Sequence, residues 1–344
     1  MEAGFSDSRA AGCGVSGGYV GRLAPSPTGA LHLGNVRTFM IAWLRARSQG
    51  GRVVMRMEDL DHPKDKPGAD AQAIEDLRWL GFDWDESHVQ SRRKAFYRAA
   101  LERLGDRAYP CVCSRRDVEA AQSAPHAGEQ LFYPGTCRGR FGSWEEARNF
   151  LAARGDGRIP CWRFRVDPPA RVSFRDSFAG DFAADVAATL GDFPVARDEG
   201  GAGYTLAVVV DDAAMGVTEV VRGDDLIAAT PAQMLLQRAL GLPTPRYCHV
   251  PLVVGPDGRR LAKRHGDTRV SALRELGVSP ERLVGFLASS CGWAAPGESV
   301  SLRDLIPRFD LATIPRAPFA VQAVQGGLKG PFGSLVYNGN GKMV

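Results

Sequence analysis

The first hundred residues alternate between apolar runs of strand type and apolar residues at helical spacing. A short apolar run at 19–24 ends in a Pro-rich loop, and from Asn35 apolar side chains recur every three or four residues. A second apolar run, Arg52–Met57, follows, and two further helical patterns continue to Leu104. Strand, helix and strand in this order are typical of a βαβ unit. The sequence therefore predicts an α/β protein with a Rossmann-like, doubly wound parallel sheet.

Length and composition narrow the class of protein. With 344 residues, the chain is long enough for about two domains. Apolar residues make up 44% and charged residues 24%, which excludes disordered, collagen-like and small disulfide-stabilised proteins. No stretch approaches the ~20 apolar residues of a membrane-spanning helix, and residues 1–18 lack the apolar centre of a signal peptide. We therefore expect a cytoplasmic protein without a membrane partner. The net charge of +4 is too small to indicate a nucleic acid.

The parallel-sheet pattern is interrupted once and then returns. The segment 111–200 is rich in Gly, Pro and Arg and is predicted to be an inserted subdomain. The run Tyr204–Asp212 is almost wholly apolar, as expected of a strand in a sheet that is covered on both faces. The predicted organisation is, in chain order, a disordered leader (1–18), the first half of the α/β domain (19–110), the insertion (111–200), the second half (201–257), a basic loop with a short helical region (258–318) and a flexible tail (319–344).

The cysteines favour a metal site. Seven cysteines without a secretion signal indicate a reducing compartment, where clustered cysteines are more often metal ligands than disulfides. Cys111, Cys113 and Cys137 cluster within the insertion and are candidates for three of the four ligands of a Zn²⁺ site. Cys161 is one candidate for the fourth ligand, although it also begins an alternating run that predicts a strand.

The loop between the first strand and the first helix has the features of a phosphate-binding site. In an open α/β sheet, ligands bind at the carboxyl ends of the strands, and the N-terminus of the following helix attracts anions. Gly29 and Gly34 allow close approach of a ligand to the backbone, and His32 supplies a side-chain donor. The sequence therefore predicts that phosphates are bound in this loop.

These motifs resemble the class I aminoacyl-tRNA synthetases in their glutamyl-type form. The loop 25–34 is similar to the first family signature, and Lys263 within 260–264 is similar to the second. Arg260 and Ala262 depart from the second signature, which usually has a lysine and a small hydroxyl residue there. Three further segments match in order, namely Arg56–Asp61, Gly203–Asp212 and Gly216–Gly223.

The resemblance implies a ligase that joins the α-carboxylate of glutamate to the α-phosphate of ATP, with Mg²⁺ assisting. The implied catalytic residues are His32 and Lys263. The implied ATP-binding residues are Pro25, His32, Gly34, Asn35 and Lys263. The implied glutamate-binding residues are Arg22, Ala24, Ser26, Glu58, Tyr204 and Arg222. For zinc, the resemblance favours a tyrosine as the fourth ligand, so the implied set is Cys111, Cys113, Tyr133 and Cys137.

The number of residues after the second signature indicates which branch of the family this sequence resembles. Ordinary glutamyl enzymes carry a further helical region there that binds the anticodon, whereas only residues 264–344 follow Lys263. The resemblance therefore favours the short branch, which attaches glutamate to queuosine at the wobble position of tRNA(Asp), and a monomer is expected. Candidates for contact with tRNA phosphates are Arg92, Arg93, Arg138 and Arg140. The alternatives are a short enzyme that charges the 3′ end of tRNA and a non-catalytic RNA-binding paralogue.

Overall fold

The computed structural model describes residues 18–60, 66–120, 131–198, 201–261, 267–324, 327–331 and 333–336. The predicted leader lies outside these residues except for Gly18. The strands are β1 Val20–Leu23, β2 Arg52–Met57, β3 Glu86–Val89, β4 Ala108–Cys111, β5 Cys161–Phe164, β6 Arg171–Asp176, β7 Gly180–Asp185, β8 Phe193–Ala196, β9 Glu219–Gly223, β10 Arg246–Val250, β11 Val253–Val254, β12 Phe319–Ala320, β13 Gln322–Val324, β14 Gly327–Gly330 and β15 Gly333–Val336. The helices are α1 Leu33–Arg47, α2 Ala69–Trp79, α3 Lys94–Leu104, α4 Arg115–Ala120, α5 Trp144–Ala152, α6 Val186–Thr189, α7 Tyr204–Ala214, α8 Thr230–Ala239, α9 Val270–Glu275 and α10 Pro280–Ser289.

Two parallel ladders meet at a seam between β1 and β9. The first ladder has the order β1-β2-β3, and the second pairs β9 with β10. At the seam the Thr218 amide donates to the Val20 carbonyl over 2.9 Å, and the Val20 amide donates to the Thr218 hydroxyl over 3.0 Å. The strands therefore follow the spatial order β3-β2-β1-β9-β10. The direction of winding reverses between β1 and β9, and ligands bind at such a switch point in open α/β sheets.

Helices cover both faces of the parallel strands. Successive side chains of a strand point to opposite faces. In β2, Val53 and Met55 belong to a core that includes α1 and α10, whereas Val54 belongs to a second core that includes α3, α7 and α8. The predicted double winding is thus present, and it leaves the ends of the strands as the accessible edge of the sheet.

The run Tyr204–Asp212 is a helix, so the prediction of a strand is wrong there. It forms most of α7, and its side chains from Leu206 to Asp212 are buried. A wholly apolar run has no periodicity, and therefore a buried helix and a buried strand give the same pattern. The helix begins after Gly203 and packs against α3 and α8.

The inserted segment is built from antiparallel strands. The strands β4, β5 and β8 form one sheet, and β6 and β7 form a hairpin. The hairpin is attached to the parallel sheet, because the Ser177 amide donates to the Tyr247 carbonyl over 2.8 Å and the Ser177 hydroxyl donates to Glu219 over 2.7 Å. The insertion therefore reaches the strands β9 and β10 that end at the switch point.

Several segments beyond Pro318 form strands where the sequence predicted a flexible tail, whereas residues 325–326, 332 and 337–344 lie outside the described residues. The strand β12 pairs in parallel with β11, and β13, β14 and β15 form an antiparallel sheet. Phe319 and Leu328 are buried in the core that contains α1 and α10. Short strands rich in glycine show no periodic pattern of apolar residues in the sequence. These strands are stabilised by the burial of the two apolar side chains.

No helix in the described part of the chain is both long and apolar enough to cross a membrane.

Candidate active site

Several of the predicted glutamate-binding residues meet at the switch point. Arg22 lies in β1 and Arg222 in β9, and Glu58 directly follows β2. Tyr204 is the first residue of α7. The charges of Arg222 and Glu58 both act on the pKa of Arg22, and those of Glu58, Arg222 and Arg22 act on the pKa of Tyr204. The four side chains therefore lie close together at the edge of the sheet, and this group is called the switch-point pocket.

A buried ion network holds Arg56 at the base of this pocket. Arg56 is fully buried, and its Nη1 lies 2.6 Å from Oδ1 of Asp212. Its Nη2 and Nε donate to Oε1 of Glu58 over 3.0 and 3.3 Å. Two carboxylates thus neutralise one guanidinium, which is the arrangement that makes a buried cation tolerable. Burial raises the pKa of Glu58 above its ordinary value, while Arg56 acts in the opposite direction.

Arg22 forms fewer hydrogen bonds and ion pairs than Arg56. Its Nη1 donates to the Val221 carbonyl over 2.6 Å across the seam, and its Nε lies 3.9 Å from Oδ1 of Asp212. The residue is 9% exposed, and within the described residues its buried Nε has no hydrogen-bond partner. A buried donor without a partner costs free energy, so Arg22 has capacity to bind an acceptor that enters the pocket.

The loop after β1 contains the two other predicted glutamate-binding residues, Ala24 and Ser26, and the predicted ATP-binding residue Pro25. Pro25 is buried, Ala24 is half-buried, and Ser26 is exposed. The Glu58 amide donates to the Pro25 carbonyl over 2.9 Å, which fixes the loop against the end of β2. Tyr204 is 45% exposed, while desolvation of its hydroxyl, with the charge of Glu58 adding to it, raises its pKa.

His32 begins α1 and forms a capping box with Asn35. Its Nδ1 accepts from the Gly34 amide over 3.2 Å, and the His32 amide donates to Oδ1 of Asn35 over 3.4 Å. Burial, with the charge of Arg260 adding to it, lowers the pKa of His32 to about 4. The imidazole is therefore neutral at pH 7, and its proton resides on Nε2.

A side chain at position 34 would crowd His32. A Cβ there would lie 3.1 Å from Cε1 of His32. The Leu33 amide donates to the Thr268 carbonyl over 3.1 Å, so the residues that follow the second signature lie beside the first signature. Lys263, the other predicted catalytic residue, lies outside the described residues, and so does Asp61 of the matching segment.

The predicted metal ligands form a compact cluster in the insertion. The Sγ atoms of Cys111, Cys113 and Cys137 lie within 4.8 Å of one another. The hydroxyl of Tyr133 is 3.2 Å from Cys111 Sγ and 3.7 Å from Cys113 Sγ, and it accepts from the Cys137 amide over 2.9 Å. Gly191 permits this placement, because its φ is +67° and a Cβ there would lie 2.1 Å from the Tyr133 carbonyl oxygen.

These spacings fit a tetrahedral ion. Zn–S distances of about 2.3 Å in a tetrahedron place sulfurs about 3.8 Å apart, and a ligand oxygen at about 2.0 Å lies about 3.5 Å from each sulfur. Cys113 Sγ and Cys137 Sγ are 3.6 Å apart, and the two oxygen–sulfur distances bracket the expected value. Cys161 is opposite Cys111 in the β4–β5 ladder but outside the group of mutually close thiols. The donor set therefore suits a closed structural site.

The candidate phosphate-binding arginines have different surroundings. Arg93 donates to Asp211 over 2.7 Å, and Arg138 donates to Asp192 over 2.5 Å, so both stabilise the fold. Arg140 is exposed and lies over the rings of Phe141 and Phe150. Arg92 is exposed on the 3₁₀ turn that precedes α3.

Sequence reasoning missed several residues that shape the pocket. Asp212 lies in a matching segment, but it was assigned to a strand end without a role. His249 and Asp176 share a hydrogen bond of 2.6 Å and contact Arg222 through His249, although 73 positions separate them. No motif includes either of the two, so no local signal was available for them.

The chain is similar to curated proteins that carry two related names. The chain is 50% identical to the Glutamyl-Q tRNA(Asp) synthetase of Symbiobacterium thermophilum, over 88% of this chain and 96% of that protein. It is 47% identical to the protein of the same name from Rhodopirellula baltica, over 87% and 95%. A glutamate–tRNA ligase of Synechococcus sp. is 41% identical, over 86% of this chain and 62% of that protein.

The fold agrees with a solved structure of the same kind. The crystal structure of a glutamate tRNA ligase from Elizabethkingia meningosepticum in complex with its amino acid superposes with a TM-score of 0.73 at 27% identity. The match covers 90% of this chain and 68% of that chain. The expected class I α/β fold is thereby confirmed.

Residues 19–317 match the family described as tRNA synthetases class I (E and Q), catalytic domain. The matched region contains the β1–α1 loop, the switch-point pocket and the cysteine cluster. The chain therefore belongs to the class I tRNA synthetases of the E and Q type, and it is a ligase.

Proposed function

We propose that the chain activates L-glutamate with ATP as glutamyl-adenylate and transfers the glutamyl group to queuosine at the wobble position of tRNA(Asp). The charge pattern of the switch-point pocket supports the choice of amino acid. The name carried by the relatives that match almost their whole length supports the choice of acceptor.

The pocket has more guanidinium groups than carboxylates. Arg22, Arg56 and Arg222 surround Glu58 and Asp212, and both carboxylates contact Arg56. Among these five residues, the positive charges therefore exceed the negative charges by one. Glutamate carries two carboxylates and one ammonium, so its net charge of −1 complements this excess, whereas neutral glutamine does not. This charge difference is the observation that carries the assignment of glutamate.

The first step is a displacement at phosphorus. An oxygen of the substrate's α-carboxylate forms a bond to the α-phosphorus of ATP, the bond to the β-phosphate bridging oxygen breaks, and pyrophosphate leaves with the electron pair. This reaction needs orientation and charge stabilisation more than a general base. Arg22 and Arg222 orient the carboxylates, and Glu58 accepts from the ammonium. His32 Nε2–H and the positive end of the α1 dipole hold the phosphates, and Lys263 neutralises charge on the departing pyrophosphate. ATP enters as its Mg²⁺ complex.

The second step is an acyl transfer. A hydroxyl of the cyclopentenediol ring of queuosine attacks the acyl carbon of the adenylate, its proton is released, and AMP leaves. The product is an ester on a modified base. Exposed Arg92 and Arg140 are candidates for contact with the tRNA backbone.

The cysteine cluster serves the fold of the insertion in this proposal. Cys111, Cys113, Cys137 and Tyr133 would hold Zn²⁺, which crosslinks β4 to the loop around Cys137. A four-ligand site has no open position, so the ion would contribute folding free energy rather than chemistry.

The first test is amino-acid-dependent exchange of pyrophosphate into ATP without tRNA. We expect exchange with glutamate and none above background with glutamine or aspartate. Arg222→Lys keeps the charge but loses the forked geometry, and we expect it to raise the KM for glutamate. Arg175→Lys on the exposed hairpin surface is the matched control. Absence of glutamate-dependent exchange in the wild-type protein would refute the activation step.

The second test compares two preparations of tRNA(Asp) that differ only in queuosine. We expect radiolabelled glutamate to be attached to the queuosine-containing preparation alone. Equal attachment to both would refute the proposed acceptor. Attachment to the 3′ end of glutamate tRNA would instead support the alternative of a short charging enzyme.

A further inference from the structure

Arg222 differs from Arg56 in the partners that hold it. Its Nε donates to Nε2 of His249 over 3.0 Å, and its Nη2 donates to the Thr230 hydroxyl over 2.8 Å. A longer contact of 3.4 Å joins Nη2 to the Leu226 carbonyl. All of these acceptors are neutral, and no described carboxylate forms an ion pair with Arg222. The side chain is therefore oriented without losing its charge, which remains available to a substrate carboxylate.

The contact with Arg222 fixes the proton of His249. Because Nε2 accepts from a guanidinium that is always protonated, it must carry the lone pair, and the proton resides on Nδ1. Nδ1 lies 2.6 Å from Oδ2 of Asp176, so it donates to that carboxylate. His249 has no exposed surface, and burial lowers its pKa although Asp176 acts in the opposite direction. Other charges that act on it come from Arg22 and Asp224.

Asp176 is itself held rigidly. Its Oδ1 accepts from the amides of Phe178 and Ala179 over 2.9 and 2.8 Å, and the His249 amide donates to it over 3.0 Å. Asp176 is 3% exposed, and although burial raises its pKa, the hydrogen bond from the His249 imidazole and these three amide hydrogen bonds keep the pKa below its ordinary value. Asp176 ends β6 and therefore belongs to the insertion, whereas His249 pairs with Arg222 across the β9–β10 ladder.

We propose that Asp176 and His249 are positioning residues, which hold Arg222 in the orientation and the uncompensated charge state that the carboxylate of glutamate requires. The relay runs from a carboxylate of the insertion, through a neutral imidazole, to an arginine of the parallel sheet. It rests on the proposed function for the identity of the substrate.

Three substitutions separate positioning from a general structural role. In Asp176→Asn, the amide oxygen keeps the two turn hydrogen bonds, and the amide nitrogen then faces Nδ1 as a donor. The imidazole proton must then move from Nδ1 to Nε2, where it faces the N–H of Arg222 Nε. The hydrogen bond between His249 and Arg222 is thereby lost. His249→Asn keeps a donor towards Asp176 but is too short to reach Arg222. His249→Gln places an acceptor oxygen near the position of Nε2, so it restores the contact with Arg222.

The assay is glutamate-dependent pyrophosphate exchange with separate KM values for glutamate and ATP. We expect Asp176→Asn and His249→Asn to raise the KM for glutamate about tenfold or more, as for loss of an orienting hydrogen bond to a charged group. The KM for ATP should stay within about twofold, since a side chain that acts through Arg222 does not contact ATP. His249→Gln should recover most of the loss. Asp181→Asn, which removes an exposed carboxylate of the same hairpin, is the matched control.

The outcomes distinguish the relay from the proposed function. If the wild-type protein shows no glutamate-dependent exchange, the proposed function fails; ¹⁵N spectra of His249 still test the relay, which predicts a proton on Nδ1 and none on Nε2. If the wild-type protein exchanges and both Asn variants keep its KM for glutamate, the relay is refuted. Equal losses in the KM values for glutamate and ATP, or equal losses in His249→Asn and His249→Gln, also refute it. If Asp176→Asn does not fold, the two His249 variants decide.

Discussion

Replacement of Asp212 by Asn tests the ion network under the pocket. The substitution preserves the size of the side chain and one acceptor oxygen, but it removes the charge that lies 2.6 Å from Arg56 Nη1. Arg56 is fully buried, and Asp212 has a side-chain exposure of 9%. The variant therefore leaves a buried guanidinium with Glu58 as its remaining carboxylate partner in the described structure.

The expected magnitude follows from this geometry. Removal of one partner from a buried ion pair typically costs about 3–5 kcal/mol, because the other charge remains desolvated. Glu58 still accepts from Arg56 over 3.0 and 3.3 Å, which places the expected loss at the lower end, about 3 kcal/mol. Such a loss is a large part of the about 5–15 kcal/mol by which domains are stable.

The assay is equilibrium unfolding in urea, followed by circular dichroism at pH 7. Asp181→Asn is the matched control, since it removes a carboxylate whose side chain is 80% exposed and lies 4.0 Å from Arg175. It should leave the unfolding midpoint unchanged, as exposed pairs contribute little. A loss below about 1 kcal/mol in Asp212→Asn would refute the reasoning, because it would mean that Asp212 does not neutralise Arg56 in the folded chain.

Three further predictions concern the other parts of the site. Lys263→Ala should reduce glutamate-dependent pyrophosphate exchange about 100-fold or more while the circular dichroism spectrum is kept, and unchanged exchange would remove Lys263 from the site. Purified protein should contain about one zinc ion per chain by elemental analysis, and Cys113→Ser should lose it and lower the melting temperature. The pKa of His32 is about 4 in the folded chain against 6.5 in the unfolded one, so the folded state favours the neutral imidazole. This contribution to stability is present at pH 7 and is lost as the pH falls from 6.5 towards 4. His32→Asn keeps a capping acceptor, and in urea unfolding it should remove up to about 2 kcal/mol of the stability difference between pH 7 and pH 4.5.

The regular part of the fold was predictable because its signals are local. The alternation at 19–57 gave the β1–α1–β2 unit, and His32 with Asn35 provides the N-cap that begins α1. The residues that bind ligands in such a unit follow from the direction of its strands. The family resemblance implied that Arg22 and Glu58 bind glutamate, and the parallel direction of β1 and β2 explains why the two residues lie at the same edge of the sheet.

The parts that were not predictable depend on contacts between distant segments. The helix α7 has no polar face, since both α3 and α8 pack against it, so its periodicity disappears. The strands after Pro318 are held by burial of Phe319 and Leu328 rather than by a pattern of their own. The bond between Asp176 and His249 joins the insertion to the sheet, and neither residue has a neighbour in sequence that indicates the pairing.

The three guanidinium groups of the pocket have three different sets of partners. This difference separates a guanidinium that stabilises the fold from those that are available to bind a substrate. Arg56 has two carboxylate partners and is fully buried. Arg22 has a carbonyl partner and an unpartnered Nε in the described structure, and Arg222 has neutral acceptors alone. Arg222 has no carboxylate partner among the described residues, and the contact of Arg22 with Asp212 is a long one of 3.9 Å, so these two buried cations are less completely neutralised than Arg56. Their retention at the ends of adjacent strands is explained if a substrate supplies the missing negative charge. Glutamate, with a second carboxylate that glutamine lacks, fits this deficit.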